Sequence, residues 1–461
     1  MCSFIAHKTI VLALCLGAAG SAIFGLDTPI ARIVDDSALR TSVKDTWLAE
    51  SPGRVITRPR TLHTLPNGQR VEIRVEASQD EFAVLFAREL NAATTGAAVT
   101  TAARNGEFPG WAQGSWLLTR RRDTGAATRI RVFLRSDPYT YVQFRPLSDD
   151  KCQMDVVLYD AYAVRALPLA VPFERLYTMP VQDVLNLAGD KFPRRYFEPD
   201  QANYRDHRLF ITRVRERLPQ LNFANDGAID EAGRYVYIET GLEQEGEIGL
   251  NCSGFAKWLI DGILRPVTGE RLAVPPMKAP FGDRGSSFTE PWEESDDPFF
   301  GLDWIRNLAS RAWSTLRSPA FGTLDEIEVR TERFSQVIIR ERSGASVQSY
   351  PGFLENAGYG INGLLPLLYT LAIDEPGRFF LGTVNTEGGP PSTPDNPRGM
   401  PRMRRYFHIA ALIPYFNEDG VFQVAVFESA AETSITAFRT RYTIDHYVNL
   451  VRVPLETAFN P

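Results

Sequence analysis

An excess of positive charge is absent from this 461-residue sequence: 50 lysines and arginines stand against 56 aspartates and glutamates, for a formal charge of −6. The basic footprint that nucleic-acid binding requires is therefore missing. Also absent is any apolar run of the ~20 residues needed to cross a bilayer. The longest, Gly360 to Ile373, is interrupted by Asn362, Gly363 and Pro366 and reads as a buried helix. Cysteine and histidine are scarce, at four and five, so thiol or imidazole chemistry comes down to a handful of positions. No metal site and no cofactor is expected, and the oligomeric state is left open.

What is present is the balance of a folded protein, with 44% apolar and 23% charged residues. The length favours two units over one. At the start, His7 and Lys8 precede the apolar run Thr9 to Leu16 and the small residues Gly17 to Ala22, the pattern of a cleaved secretory signal. The expected location is periplasmic or secreted. Lipid attachment at Cys15 is the lesser reading, because the bulky Leu14 stands where a small residue is wanted. Losing residues 1 to 22 removes Lys8 and no acid, so 49 basic against 56 acidic residues leave −7. The remaining cysteines, Cys152 and Cys252, are either a disulfide or separate thiols in such a compartment.

Residues 23–200 read as a β-rich domain. Strands are expected at Arg54 to Arg60, Gln69 to Ala77, Ser115 to Arg121, Thr128 to Arg135 and Tyr139 to Arg145, between turn signals such as Pro66-Asn67-Gly68. One helix is expected at Gln79 to Ala92, where Phe82, Leu85, Phe86 and Leu90 share a helical face. From residue 201 the pattern changes. A helix at Asp206 to Leu218, a strand at Arg234 to Glu239 and a helix at Cys252 to Leu264 lead into a Pro/Gly/acid-rich excursion, Arg265 to Phe300. An amphipathic helix, Leu302 to Leu316, follows. Further on come a strand at Arg378 to Val384, an irregular loop from Asn385 to Arg405, and strands Tyr406 to Phe416 and Val421 to Glu428 about a hairpin turn.

A cysteine attacks as its thiolate, and the free N–H groups at a helix start are among the local devices that lower a thiol pKa. Cys252 occupies such a start. Asn251 is a favoured cap, Ser253 and Gly254 leave the thiol accessible, and Phe255, Leu259 and Ile263 recur at spacing four to bury the helix. The matching base is a histidine, whose ordinary pKa lies near neutrality. His7 leaves with the leader, His63 sits by a turn, and His207 and His446 lie in polar settings. His408, between Phe407 and Ile409 at the start of an apolar strand, remains.

The segment GRYVYIETGLEQEGEIGLNCSGFA, residues 233–256, resembles the signature of NlpC-like cell-wall cysteine peptidases: a tyrosine strand, a glycine-containing loop, then a DCSGF-type element opening a helix. FHIAALIPYF followed by VFQVAVFESA is similar to that family's histidine strand and the next one. The resemblance implies an α+β, papain-like catalytic domain over residues 201–461, with an insertion at about 265–355. It further implies Cys252 as nucleophile, His408 as base, Glu428 as the residue orienting it, and Tyr235 or Tyr237, with Ser253, near the oxyanion. Asn251 stands where the family has aspartate, and Ile238-Glu239-Thr240-Gly241 stand in place of its paired glycines.

The expected activity is hydrolysis of an amide, in peptidoglycan stem peptides or another peptide substrate, through an acyl-enzyme. The alternatives are a catalytically silent papain-like module that binds wall or surface partners, and acyl transfer to or from a lipid. Register offers a geometric test. A loop closing Phe416 on Val421 would put His408 opposite Ser429 and turn Glu428 away, whereas closing Phe416 on Phe422 puts Glu428 on the histidine's face. An odd loop or a bulge in this hairpin is therefore expected.

Overall fold

The computed structural model describes residues 29–90, 107–282, 297–331, 336–341, 344–349, 352–388, 403–418 and 420–461. The expected leader, Cys15, and most of the Asn385 to Arg405 loop lie outside the described residues. The protein is α+β, with two large antiparallel sheets and several helices.

The first sheet is a meander of β1 (Thr61–Thr64), β2 (Arg70–Ala77), β3 (Glu81–Arg88), β4 (Trp116–Arg121), β5 (Ala127–Val132), β6 (Tyr141–Ser148), β7 (Lys151–Leu158) and β8 (Ala161–Leu169). Two expectations fail here. Arg54 to Arg60 is not a strand: Pro52 opens a short helix, Pro52–Ile56, because its fixed φ and missing N–H suit the first helical turn. Gln79 to Ala92 is not a helix but contains β3. Phe82, Val84 and Phe86 enter the main core, and Leu85 and Ala87 are buried as well. Such burial on both faces produces a nearly continuous apolar run, and a helical stripe can be drawn through that run by accident.

A small hairpin of β9 (Gly227–Ile229) and β10 (Tyr235–Tyr237) precedes the helix Cys252–Thr268. Next come the helix Phe300–Leu316, then β11 (Gln336–Glu341) and β12 (Gly344–Ser349), which join the far edge of the first sheet through β8. The second sheet runs β13 (Tyr359–Gly360), β18 (His446–Pro454), β14 (Arg378–Gly388), β15 (Met403–Phe416), β16 (Phe422–Glu428), β17 (Ala431–Ser434). The strands β14 and β15 are longer than expected and extend into what was read as loop.

Within the stretch read as insertion, the Phe300–Leu316 helix is part of the core. Trp304, Ile305 and Leu308 are fully buried, and the Trp304 indole N–H donates to the Ser253 carbonyl at 2.9 Å. The two sheets meet through aromatics: Tyr159, in the β7–β8 turn, packs on Tyr369 and Phe422 with ring centroids 5.0 and 5.6 Å away. Arg135 of the first half donates to the Gly420 carbonyl in the β15–β16 loop at 2.7 Å.

Candidate active site

The helix bearing Cys252 starts where its sequence says it should. Asn251 is extended, with ψ −171°, and its side-chain oxygen accepts from the Gly254 amide at 2.8 Å. Such a cap contributes about 1 kcal/mol. Packing contributes more, since Phe255, Leu259, Ile260 and Ile263 are fully buried and each such side chain is worth roughly 1.5–3 kcal/mol. Ser253 and Gly254 are also buried, which corrects their reading as groups that leave the thiol open. A Cβ on Gly254 would lie 1.9 Å from the Gly227 carbonyl oxygen, so the glycine exists to let the helix lie on β9. Lys257 then donates to the Ile229 carbonyl at 2.6 Å and to Asp261 at 2.7 Å, anchoring the helix to the same strand.

The histidine strand is shaped by two irregularities. Thr383 and Val384 of β14 face Ile409 and His408, but the next residue, Asn385, faces Tyr406. Phe407 is thus the extra residue of a β-bulge immediately before His408, the kind of device that re-aims a side chain beside a site. On the other side, β16 covers β15 only from Phe416 back to Ala411. It ends at Glu428 in a two-residue turn, Ser429 and Ala430, both with positive φ (47° and 63°). The stretch of β15 before Ala411 therefore lacks a β16 partner, and the Ile409 amide is near enough to the Cys252 sulfur to help lower the thiol.

The β15–β16 hairpin closes Phe416 on Phe422, the odd register, and Glu428 lies on the His408 face. His408 Nε2 is 2.6 Å from Glu428 Oε2. The Cys252 thiol and the His408 ring lie close enough for each to stabilise the other's charged form. With Nε2 given to Glu428, Nδ1 is the ring nitrogen left for the sulfur. The other oxygen of Glu428 accepts from Arg441, so this carboxylate is held from two sides.

The electrostatics follow from these contacts. Burial pushes the Cys252 thiol up, but the bond to His408, the imidazolium charge, the Ile409 amide and Ser253 together bring it below its ordinary value. Burial pulls His408 down, and its bonds to Cys252 and Glu428 outweigh this, raising it to about 9. Burial raises Glu428, whereas His408 and Arg441 hold it below the usual carboxylate range. The lowered thiol and the raised imidazole both favour the thiolate–imidazolium form of the pair. The cysteine residue is half-buried. Cys152 differs: it is a free thiol too, buried in β7, and burial pushes it up to about 11. The disulfide alternative is not formed.

The remaining predicted residues are placed otherwise. Ser253 Oγ is 4.0 Å from the Cys252 sulfur, a marginal contact. The Tyr237 hydroxyl donates to the Glu245 carbonyl at 3.2 Å and accepts from the Glu245 amide at 3.3 Å. Tyr235 is half-buried against the core and within electrostatic reach of Arg271. Among the described residues, neither tyrosine hydrogen-bonds to Cys252. Tyr442, which sequence reasoning missed, lies close enough to Cys252 and Glu428 to feel their charges; burial first and then these two raise its phenol to about 12. Its ring is 5.4 Å from Phe438, which in turn is 6.5 Å from the His408 ring. Arg441 was missed as well. Both follow the short helix Ile435–Thr440, in a segment without apolar period or motif. The other histidines are engaged elsewhere: His63 with Thr61, His207 with the Arg378 carbonyl, His446 with Thr443. Among the described residues, no group of three or more histidine, cysteine, aspartate or glutamate side chains could hold a metal.

Residues 29–196 match a family described as a domain of unknown function (DUF8515). That segment holds β1 to β8 and none of Cys252, His408, Glu428 or Tyr442. No curated protein and no solved structure matches the chain.

Proposed function

We propose that this protein is an exported, papain-like cysteine hydrolase. The reading is carried by one observation: an imidazole hydrogen-bonded to a buried carboxylate lies close enough to a thiol at a capped helix start for thiol and ring to stabilise each other's charged form. In the proposed cycle the Cys252 thiolate attacks a carbonyl carbon, and the oxygen becomes an oxyanion. The Cys252 amide, one of the first free donors of the helix, and the Tyr442 hydroxyl stabilise it. The C–N bond then breaks, and the His408 imidazolium gives its proton to the leaving amine. Neutral His408 next takes a proton from water, whose oxygen attacks the thioester. The acid leaves, and thiolate and imidazolium are restored. Glu428 holds the ring and stabilises its charge throughout.

The sequence likeness around Cys252 and His408 favours peptide stems of the bacterial cell wall as substrate, and the His7 to Ala22 leader pattern favours export to where they lie. The test is incubation with purified muropeptides, with product analysis and intact-protein mass spectrometry. The reading expects new amine and acid termini and a transient acyl adduct on Cys252, both lost in C252A. Wall binding without cleavage, equal in C252A, would favour a silent binding module instead.

A further inference from the structure

The bulge that aims His408 also does something that strand stability does not require. It sets Phe407, a large apolar side chain, 45% exposed at the lip of the site. Two more rings stand against it: His446 at 5.8 Å, nearly perpendicular, and Tyr442 at 6.2 Å. Tyr442 and His446 are themselves 5.3 Å apart. The wall is fixed in place. Thr443 holds His446 Nδ1 through its hydroxyl at 2.9 Å, and Phe438 backs Tyr442 at 5.4 Å. Rings held in advance lose little entropy when a ligand covers them. Single exposed apolar residues are common, but three packed rings continuous with a nucleophile form a patch that a ligand can cover. Tyr442 supplies the continuity, because one end of it belongs to the wall and its hydroxyl lies within electrostatic reach of Cys252.

We propose that Phe407, Tyr442 and His446 form a subsite beside the thiol that takes an apolar group on the acyl part of the substrate, an aliphatic chain or an aromatic side chain. The proposal rests on the hydrolase reading and concerns the acyl group, not the type of bond. Such a group is withdrawn from water against the rings as Cys252 attacks its carbonyl. An enclosed pocket gives about fourfold per methylene; an open wall covering one side gives about twofold.

The experiment measures kcat/KM for p-nitrophenyl acetate, butyrate, hexanoate, octanoate and phenylacetate by nitrophenolate release. Alkylation by iodoacetamide reports the thiol separately. The wild type is expected to gain about tenfold or more from acetate to hexanoate, and F407A to lose most of that gain while F407Y keeps it. H446A, on the other ring, provides a second variant should F407A fold poorly, and it is expected to flatten the series in the same sense. A rise continuing through octanoate identifies an aliphatic chain; a maximum at phenylacetate identifies an aromatic side chain. Equal rates for acetate and hexanoate, or the same slope in F407A and H446A as in the wild type, overturn the subsite and leave the hydrolase standing. Failure to turn over any ester despite an alkylatable Cys252 overturns the hydrolase reading, and the subsite with it.

Discussion

Replacing Glu428 by glutamine removes a charge from the site and keeps an amide oxygen that can accept from His408 Nε2, while its NH2 group takes the place of the oxygen that accepts from Arg441. The bond being weakened is short, 2.6 Å, and joins groups only 18% and 9% exposed, so solvent screens it little. A charge-assisted hydrogen bond of this kind is worth about 1.5–3 kcal/mol, and 1.36 kcal/mol is one pH unit, so His408 should fall by about one to two units. In the wild type, with His408 raised to about 9, the imidazolium that protonates the leaving group persists through neutrality and is lost as pH rises through about 9. In E428Q the same loss comes earlier. At pH 8.5 a fall of 1.5 units takes the protonated fraction from roughly three quarters to roughly a tenth. The assay is the pH dependence of kcat/KM on a p-nitrophenyl ester or amide between pH 5 and 10. The alkaline limb should move down by one to two units, while the acid limb, where His408 is protonated in both proteins, should not move up. An alkaline limb within about 0.3 units of the wild type would refute the role given to Glu428.

Three further outcomes follow from the packing. G254A places a methyl 1.9 Å from the Gly227 carbonyl oxygen, so the Cys252 helix must lift off β9; a loss of about 3 kcal/mol is expected by denaturant unfolding, with Cys252 reactivity impaired. In the Ser429–Ala430 turn both residues have positive φ, which asparagine and glycine adopt at lower cost. The double variant S429N/A430G should gain about 1 kcal/mol in the same assay while leaving Glu428 in register. K257A strands the buried Asp261 carboxylate without its 2.7 Å partner and should lose about 3–5 kcal/mol, part of which D261N recovers.

The parts of the site that were legible in the sequence are those built from local pattern. Asn251 as cap and the spacing of Phe255, Leu259 and Ile263 define where the Cys252 helix begins and which side it buries. The apolar strands about Asn417 to Gly420 define a hairpin, and side-chain alternation then ties Glu428 to His408 through a single choice of register. What stayed illegible depends on neighbours distant in the chain. The bulge at Phe407 exists only in the pairing of β15 with β14, some twenty residues earlier. The burial of β3 on both faces comes from strands on either side of it and erased the alternation that would have marked it. Gly254 looked like an opening for the thiol because nothing local reveals that Gly227 lies against it. Tyr442 and Arg441 reach the site by way of a short helix and an irregular turn. The two upstream tyrosines, which the family likeness favoured, sit on a hairpin that ends with the Tyr237 hydroxyl bound to the Glu245 backbone.

The pairing of thiolate and imidazolium is tested most directly by titrating the thiolate absorbance near 240 nm in the wild type and in H408A. Cys152, pushed up to about 11 by burial, does not interfere below pH 9. One thiolate is expected to form in the wild type below the ordinary cysteine value. In H408A, where burial acts without the imidazolium, it should form only above that value. The same titration in both proteins, or no thiolate in the wild type below pH 9, would contradict the account.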